Sequence, residues 1–412
     1  EVFRIMASNA KNLAELLNNE STIAVADVAD GSITTAKLAT PNLFGETTLT
    51  LSVAGNIYAG VASNLTITTN TVGSVSVIYK EGATTLATTS SVAITNGTAV
   101  TAVPSAVYGQ TAGDTITITI TNADSLTSNA VTETVLNAPT GGTITTSGIY
   151  RIHTFNSSGT FATQGYAGNI EYIVVGGGGA GGCQHGGGGG GGSYRTNVAG
   201  EVNGGLSGLD PAYAVTAGQS ITVTVGAGGA QQGGGNRGAN GTASVFGTVS
   251  AAGGGGGGGW AANYLYHGRI GGSGGGSSLK EMGGPSIGYG FPGGSMTEVP
   301  RNHPLGGGGG GGAAGVGRGE QEASAGGDAI AGGEGITASW SPTSRGGGGG
   351  GGSHSPHALG PGRGGGGNGG VGNSGAGISG AANRGGGGGG SGANGATAGN
   401  GGSGVVILRY EV

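Results

Sequence analysis

Hydrophobic and polar residues alternate with a two-residue period through much of the first third of the chain. In the clearest run, Asp114–Asn122, Ile116, Ile118 and Ile120 fall on one face and threonines on the other. This alternation predicts half-buried β-strands. It recurs at 48–53 and 74–79, and turn signals separate the runs at Ala54–Asn56, Glu81–Gly82, Asn96–Gly97 and Ala112–Asp114. We therefore expect one β-sandwich over residues 46–138.

A helical period occurs before this region, in residues 1–45. Within Ala7–Asn19, Leu13, Leu16 and Leu17 follow the i, i+3, i+4 spacing of one helix face. This spacing predicts a short amphipathic helix, whose apolar face needs a partner. We interpret residues 1–45 as an N-terminal attachment segment with a short helix and a linker.

From residue 139 to residue 412 the pattern changes to short apolar runs separated by glycine. We predict strands at Ile149–Phe155, Gly159–Thr163, Ile170–Val175, Ser220–Val225, Ala243–Ala251 and Val405–Tyr410. Ile170–Val175 and Val405–Tyr410 are apolar on both faces, which is typical of central strands. We expect these two strands to lie side by side, so that residues 139–412 form one domain.

Uninterrupted glycine tracts of nearly equal length are the most unusual feature of the chain. Four have seven residues and one has six: Gly186–Gly192, Gly253–Gly259, Gly306–Gly312, Gly346–Gly352 and Gly385–Gly390. Flexible linkers have no reason to share a length, because loop-closure entropy changes slowly with residue number. Segments that cross a common layer are expected to share a length, because each must span the same thickness. Seven residues in a polyproline-II-type conformation span roughly 22 Å. We predict a layer of polyglycine-II helices, packed side by side because glycine has no Cβ.

Disorder is the main alternative for these tracts, since ordering each residue costs about 1–2 kcal/mol. The matched lengths, and the aromatic residues between the tracts, favour order. A collagen-like triple helix is excluded because there is no repeating Gly-X-Y period.

Composition and charge exclude several classes of function. Charged residues make up 8% of the chain, the net charge is −5, and the four lysines form no basic stripe, so we expect no nucleic-acid binding. The sequence lacks the roughly 18 consecutive apolar residues of a membrane span, so we expect no membrane insertion. Cys183 is the one cysteine, so an intrachain disulfide cannot form.

No motif predicts catalysis, a metal site or a cofactor. The glycine tracts match the dinucleotide fingerprint trivially, and none continues into the Lys-Ser/Thr of a phosphate-binding loop. We interpret Cys183–His185 as a turn and His354–His357 as a solvated loop without a third metal ligand. Glu320, Glu322, Asp328 and Glu334 form an acidic loop. A depolymerase carboxylate pair and a cation site are alternatives for it, but the spacing identifies neither, so we assign the loop to solubility.

The loops between glycine tracts are our candidate binding surface, because aromatic residues and arginine dominate recognition energetics and aromatic rings stack on sugars. The alternative is that these side chains close the ends of the glycine layer. The candidate residues are Trp260, Tyr264, Tyr266, His267, Arg269, Tyr289, Phe291 and His303 in residues 260–305, and Trp340 and Arg345 in residues 313–345.

Four motifs, in order, resemble the glycine-rich domain of bacteriophage tail-fibre proteins. They are Ile149–Phe161 (IYRIHTFNSSGTF), Ile170–Gly179 (IEYIVVGGGG), Val223–Gly229 (VTVGAGG) and Gly404–Tyr410 (GVVILRY). Asp30–Ala39 (DGSITTAKLA) resembles linkers near the N-termini of such proteins, and residues 46–138 resemble their immunoglobulin-like spacer modules. The resemblance implies an all-β fold: an immunoglobulin-like β-sandwich, then a jelly-roll-like β-domain with inserted polyglycine-II helices, as in the tip adhesins of T-even-type phages.

The resemblance also implies a function. We expect a non-catalytic, receptor-binding tail-fibre protein of the virion, which is assembled in the host cytoplasm and acts outside the cell. It implies a homotrimer whose N-terminus contacts other tail or baseplate proteins and whose distal part binds a host-surface glycan or outer-membrane protein. The alternatives are a structural head fibre or decoration protein, and a host-surface glycan depolymerase.

Overall fold

Strands predominate in a computed structural model that describes residues 48–260, 266–278, 281–296, 306–319, 330–353, 360–393 and 396–412. Over these ranges we find one four-residue helix, α1 (Ser105–Tyr108), and a 3-10 turn at Gly204–Leu206. The predicted all-β fold class is therefore confirmed, while the helix predicted at 7–19 lies outside the described residues. In the described part of the chain, no helix is long and apolar enough to cross a membrane.

The chain divides into two compact units after Val135. The described part of the first unit contains two antiparallel sheets, with strand orders β1-β3-β6 and β2-β8-β7-β4-β5. Their strands are β1 (Leu51–Ala54), β2 (Ile57–Tyr58), β3 (Asn64–Thr69), β4 (Gly73–Glu81), β5 (Thr84–Ile94), β6 (Thr98–Ala102), β7 (Thr115–Thr121) and β8 (Val131–Leu136).

The core of this unit lies between the two sheets. Ile116, Ile118 and Ile120 of β7 are fully buried there and pack in one cluster with Leu65 and Ile67 of β3. The alternation in β7 therefore identified its buried face correctly. The turn signals are also confirmed, because Gly55, Gly82, Gly97 and Gly113 all have positive φ.

The described part of the second unit contains a six-stranded sheet, a four-stranded sheet and a hairpin. The six-stranded sheet has the order β13-β12-β20-β10-β9, with β14 also paired to β12; the four-stranded sheet has the order β11-β15-β16-β17, and β18 pairs with β19. The strands are β9 (Thr143–Ser147), β10 (Tyr150–Phe155), β11 (Gly159–Ala162), β12 (Gly168–Val175), β13 (Tyr194–Thr196), β14 (Tyr213–Val215), β15 (Ser220–Thr224), β16 (Ser244–Phe246), β17 (Val249–Ala251), β18 (Ile336–Ala338), β19 (Ser341–Arg345) and β20 (Val405–Glu411).

The two apolar strands are central neighbours, as predicted: β12 pairs antiparallel with β20, with Ile173 opposite Ile407. On one face of this pair, the Tyr172 ring lies 6.2 Å from the ring of Phe246 in the four-stranded sheet. On the other face, Ile173 and Ile407 pack against Ile336 of the β18–β19 hairpin. Burial on both faces explains why both strands read as continuous apolar runs.

One predicted strand is wrong in its extent. Residues 243–251 form two short strands, β16 and β17, in which Phe246 pairs with Val249 across a two-residue turn. Gly247 in this turn has a φ of 56°. A glycine in the left-handed region allows this tight reversal. The prediction treated residues 243–251 as one continuous strand and did not take the turn at Gly247 into account.

The glycine tracts are ordered and packed side by side. The Gly186–Gly192 amides donate hydrogen bonds of 2.7–3.0 Å, and the acceptors change with a three-residue period. Gly186, Gly189 and Gly192 donate to one neighbouring segment, whereas Gly187 and Gly190 donate to a second. A three-residue period is that of the polyproline-II helix, so the tract has the predicted helical periodicity.

Gly186–Gly192 is surrounded by six neighbouring segments. Those that accept its hydrogen bonds are 385–391, 255–258 and 308–311, and those that donate to its carbonyls are 349–352, 179–182 and 273–276. The amides of all seven glycines, and the carbonyls of Gly186–Gly191, are thereby hydrogen-bonded within the layer.

Close packing of these backbones requires glycine. A Cβ added at any residue of Gly186–Gly192 would approach a neighbouring backbone carbonyl oxygen more closely than 3.0 Å. The contacting atoms belong to the main chain and cannot move aside as a flexible side chain could. The packing therefore explains the composition of the tract, and the hydrogen bonds offset the entropy lost when glycine is ordered.

Candidate functional site

The glycine layer has two different ends. At the end that we call the sheet end, glycine segments join strands directly: Gly176 follows β12, Gly346 follows β19 and Gly404 precedes β20. At the opposite end, the loop end, the chain reverses direction between segments, for example at Cys183–His185. A seven-residue tract separates the two ends by roughly 22 Å.

Hydrogen bonds connect the chain reversals of the loop end to one another. Trp260 N donates to the Cys183 carbonyl at 3.1 Å, and Cys183 N donates to the Asn236 carbonyl at 3.2 Å. His185 N donates to the Gly392 carbonyl at 2.8 Å, and Gly392 N donates to the Gly375 carbonyl at 2.9 Å. The described part of the loop end is thus a continuous surface with a fixed backbone.

Trp260, Tyr266 and His267 lie at the loop end. The Trp260 side chain is 39% exposed, and its ring centroid lies 5.2 Å from that of His185. The Tyr266 carbonyl accepts a 2.7 Å hydrogen bond from Ser278 N, and the His267 imidazole Nε2 lies 3.3 Å from Glu281 Oε2. An exposed indole and a half-buried imidazole are therefore present at this surface.

Tyr289, Phe291 and Trp340 lie at the sheet end instead. The Arg195 guanidinium lies 4.5 Å from the centroid of the Tyr289 ring, and Phe291 N donates to the carbonyl of Gly312, where a tract reaches this end. Trp340 covers the Arg409 guanidinium at 4.3 Å. The Tyr289 and Trp340 rings therefore pack against arginine side chains of the same unit.

Arg345 is also at the sheet end and is only 7% exposed. Its Nη1 donates to the Thr343 carbonyl at 2.8 Å, and burial lowers the pKa of its guanidinium. The side chain is therefore packed within the protein and is not presented to a partner.

The candidate residues thus do not form one surface. Within the described parts of 260–305, the chain crosses the layer more than once, and Trp260 and Tyr289 lie at opposite ends. Proximity in sequence does not reveal the number of crossings between two residues, which only the hydrogen-bond pattern specifies. Tyr264 and His303 lie outside the described residues, as do Glu320, Glu322, Asp328 and His354–His357.

The turn interpretation of Cys183–His185 is confirmed, because Gln184 and His185 have φ values of 58° and 55°. The Cys183 thiol is buried and donates to the Gln232 carbonyl at 2.6 Å, and burial raises the pKa of the thiol. Across the described ranges, no group of three or more His, Cys, Asp or Glu residues could hold a metal ion.

A groove beside the loop end brings together residues that sequence reasoning missed. Arg237 and Asn240 line it together with Arg269, which was a candidate. Arg237 and Asn240 belong to a short segment between glycine runs that contains no aromatic residue. The positive charge of Arg237 beside a glycine run was the one sequence feature that could have identified this segment. The sequence did not show that Arg237 and Arg269 line the same groove.

These features define an all-β protein whose second unit is built on a layer of packed glycine helices. The chain belongs to the glycine-rich domain family, which matches residues 153–411. This match covers most of the second unit, including all five glycine tracts and the strands from β11 to β20. No curated protein matches the chain.

Proposed function

We propose that this chain is a bacteriophage tail-fibre protein whose loop end binds the surface of a host bacterium. The observation that carries the proposal is the hydrogen-bonded glycine layer, which fixes the backbone of the chain reversals at one end. A surface held in this way loses little conformational entropy when it binds a partner. Trp260 then provides an exposed aromatic side chain, and His267 a half-buried imidazole, that suit recognition of a sugar or protein.

The remaining parts of the proposal follow from the sequence resemblance. Residues 1–45 attach the fibre to other tail or baseplate proteins, the sandwich of the first unit acts as a spacer, and three copies of the chain form the fibre. The protein is then a non-catalytic virion component that contacts a host-surface glycan or outer-membrane protein.

Binding of the labelled full-length protein to a panel of Gram-negative bacterial strains tests this proposal. We expect saturable binding to some strains, and competition with adsorption of a phage that infects them. Trp260→Ala should weaken binding at least about tenfold. Leu206→Ala is the control, because it truncates an exposed side chain at the sheet end.

Absence of binding to every strain would contradict the proposal and favour a structural head fibre or decoration protein. Release of reducing ends from host polysaccharide would favour the depolymerase. Equal binding by Trp260→Ala and the unsubstituted protein, with both folded as judged by thermal unfolding, would remove Trp260 from the binding surface.

A further inference from the structure

Two arginine side chains share one surface groove beside the glycine layer. Arg237, Asn240 and Arg269 line two adjoining cavities of about 550 and 590 Å³. We infer that this groove binds the anionic group of an acidic saccharide, one that carries a carboxylate, phosphate or sulfate. The inference deepens the proposed function, because it specifies the chemical class of the host glycan.

The backbone positions of both arginines are fixed by the same glycine tract. On one side of this tract, Gly238 N, adjacent to Arg237, donates to the Gly257 carbonyl at 2.9 Å. On the other side, Arg269 N donates to the Gly256 carbonyl at 2.8 Å. Because consecutive glycines anchor the two segments, both arginines lie at the same level along the tract.

Asn240 connects the two segments across the tract. Its Nδ2 donates to the Ile270 carbonyl at 2.9 Å, and its Oδ1 accepts from Gly256 N at 3.0 Å. The side-chain amide therefore holds the segment of Arg237 beside that of Arg269. The spacing between the arginines is set before any ligand arrives, which limits the entropy cost of binding.

The electrostatics of the groove favour an anion. Burial, and then the positive charge of Arg269, lower the pKa of Arg237. An anion between the guanidinium groups would offset this repulsion and accept charge-assisted hydrogen bonds, for which the planar guanidinium is well suited. The carboxylate of Glu281 lies 3.3 Å from the imidazole of His267, another residue of the groove.

An apolar wall beside the arginines indicates a saccharide and not a small inorganic ion. Ile270 and Met282 line the groove and are 51% and 69% exposed, and Pro285 is exposed next to them. Such side chains can cover the apolar face of a sugar ring while the arginines bind its charged substituent. The volume is also in the range of small-molecule sites, about 300–1,000 Å³.

Calorimetric titration of the full-length protein with short oligogalacturonates tests the inference, with uncharged dextran oligosaccharides and inorganic phosphate as comparison ligands. We expect oligogalacturonate binding, no dextran binding and weaker phosphate binding. The double substitution Arg237→Gln/Arg269→Gln should reduce affinity at least tenfold. Arg363→Gln is the control, because it removes a guanidinium charge from a residue that pairs with Glu334 outside the groove.

Several outcomes would overturn the inference: no oligogalacturonate binding at millimolar concentration, equal affinity in the double variant, or an equal loss in the control. If inorganic phosphate bound as tightly as the oligogalacturonate, the groove would be a general anion site, and the assignment of a saccharide ligand would be wrong. Binding to bacterial cells is a separate measurement. If the groove binds oligogalacturonates but the protein binds no cells, the tail-fibre proposal fails while the groove remains an acidic-saccharide site.

Discussion

The backbone amide of Gly188 donates a hydrogen bond to the carbonyl of Gly308, 2.9 Å away. These residues belong to different glycine tracts and have no side chains with which to recognise each other. Their contact repeats three residues later, where Gly191 N donates to the Gly311 carbonyl at 2.9 Å. Repetition of such contacts around each tract gives the layer its cohesion.

A methyl group in Gly186–Gly192, the tract that six neighbouring segments surround, should therefore disrupt the layer. In Gly189→Ala, the added Cβ meets the Gly179 carbonyl, so neighbouring tracts must separate and lose hydrogen bonds. We expect the free energy of unfolding to fall by roughly 2–5 kcal/mol. Denaturant unfolding of the full-length chain measures this change.

The control is Gly208→Ala, because a Cβ at Gly208 would meet no atom within 4 Å. It should change the stability by less than about 0.5 kcal/mol. Equal effects of the two substitutions would show that close backbone packing does not determine the need for glycine in the tract.

A buried histidine should make stability depend on pH. The Nδ1 of His153 donates to the Gly141 carbonyl at 2.8 Å, because a carbonyl can only accept, and Nε2 lies 3.3 Å from the Tyr410 hydroxyl. Burial, opposed by the Gly141 hydrogen bond, lowers the pKa of His153 from 6.5 to about 4. The folded protein thus holds this imidazole neutral at neutral pH.

The sign of the effect follows from this shift. As pH falls, the unfolded chain takes up the proton first, so the stability contribution is constant above pH 6.5 and is lost between pH 6.5 and about 4. The loss should be on the order of 3 kcal/mol. His153→Gln removes the titration, and denaturant unfolding between pH 8 and 4 should show a smaller decrease in this variant. Parallel profiles for the two proteins would contradict the expectation.

A buried carboxylate connects β12, β13 and the loop between β13 and β14. Asp210 Oδ2 accepts hydrogen bonds from the Tyr172 hydroxyl at 2.7 Å and Arg195 Nε at 2.9 Å, and Oδ1 accepts from Asn203 Nδ2 at 3.1 Å. Asp210→Asn preserves the shape but leaves the Arg195 charge without its counter-ion. We expect thermal unfolding to show a destabilisation of roughly 3–5 kcal/mol.

The comparison variant is Glu334→Gln. It breaks the more exposed contact of Glu334 with Arg363, 3.5 Å between Oε1 and Nη1. Exposed pairs contribute about 0–1 kcal/mol, so this change should be small. A loss in Asp210→Asn no greater than that in Glu334→Gln would show that the Asp210 network does not stabilise the unit.

The buried cysteine should be inert in the folded protein. Cys183 is 2% exposed, its thiol donates to the Gln232 carbonyl, and burial raises its pKa. Because the thiolate is the reactive form, iodoacetamide should modify native Cys183 at least tenfold more slowly than the unfolded chain. Mass spectrometry over time measures both modification rates, and similar rates would contradict the burial of the Cys183 thiol.

Much of the fold was predictable where side chains carry the information. The isoleucines of β7 revealed their buried face, and the continuous apolar runs of β12 and β20 revealed a central pair. The equal lengths of the glycine tracts indicated ordered rods. By contrast, the sequence did not reveal that a turn at Gly247 divides one predicted strand into two. It also placed Tyr289 and Trp340 in one candidate binding surface with Trp260, although they lie at the other end of the layer.

The sequence by itself thus determined the all-β class, the buried face of each clear strand and the tendency of the tracts to pack. Only the tertiary structure decided which tract lies beside which, and so which loops share an end and that Arg237 meets Arg269. The physical reason is that every glycine offers the same amide and carbonyl. Partners in the layer are therefore selected by the path of the whole chain and not by side chains that can be read from the sequence.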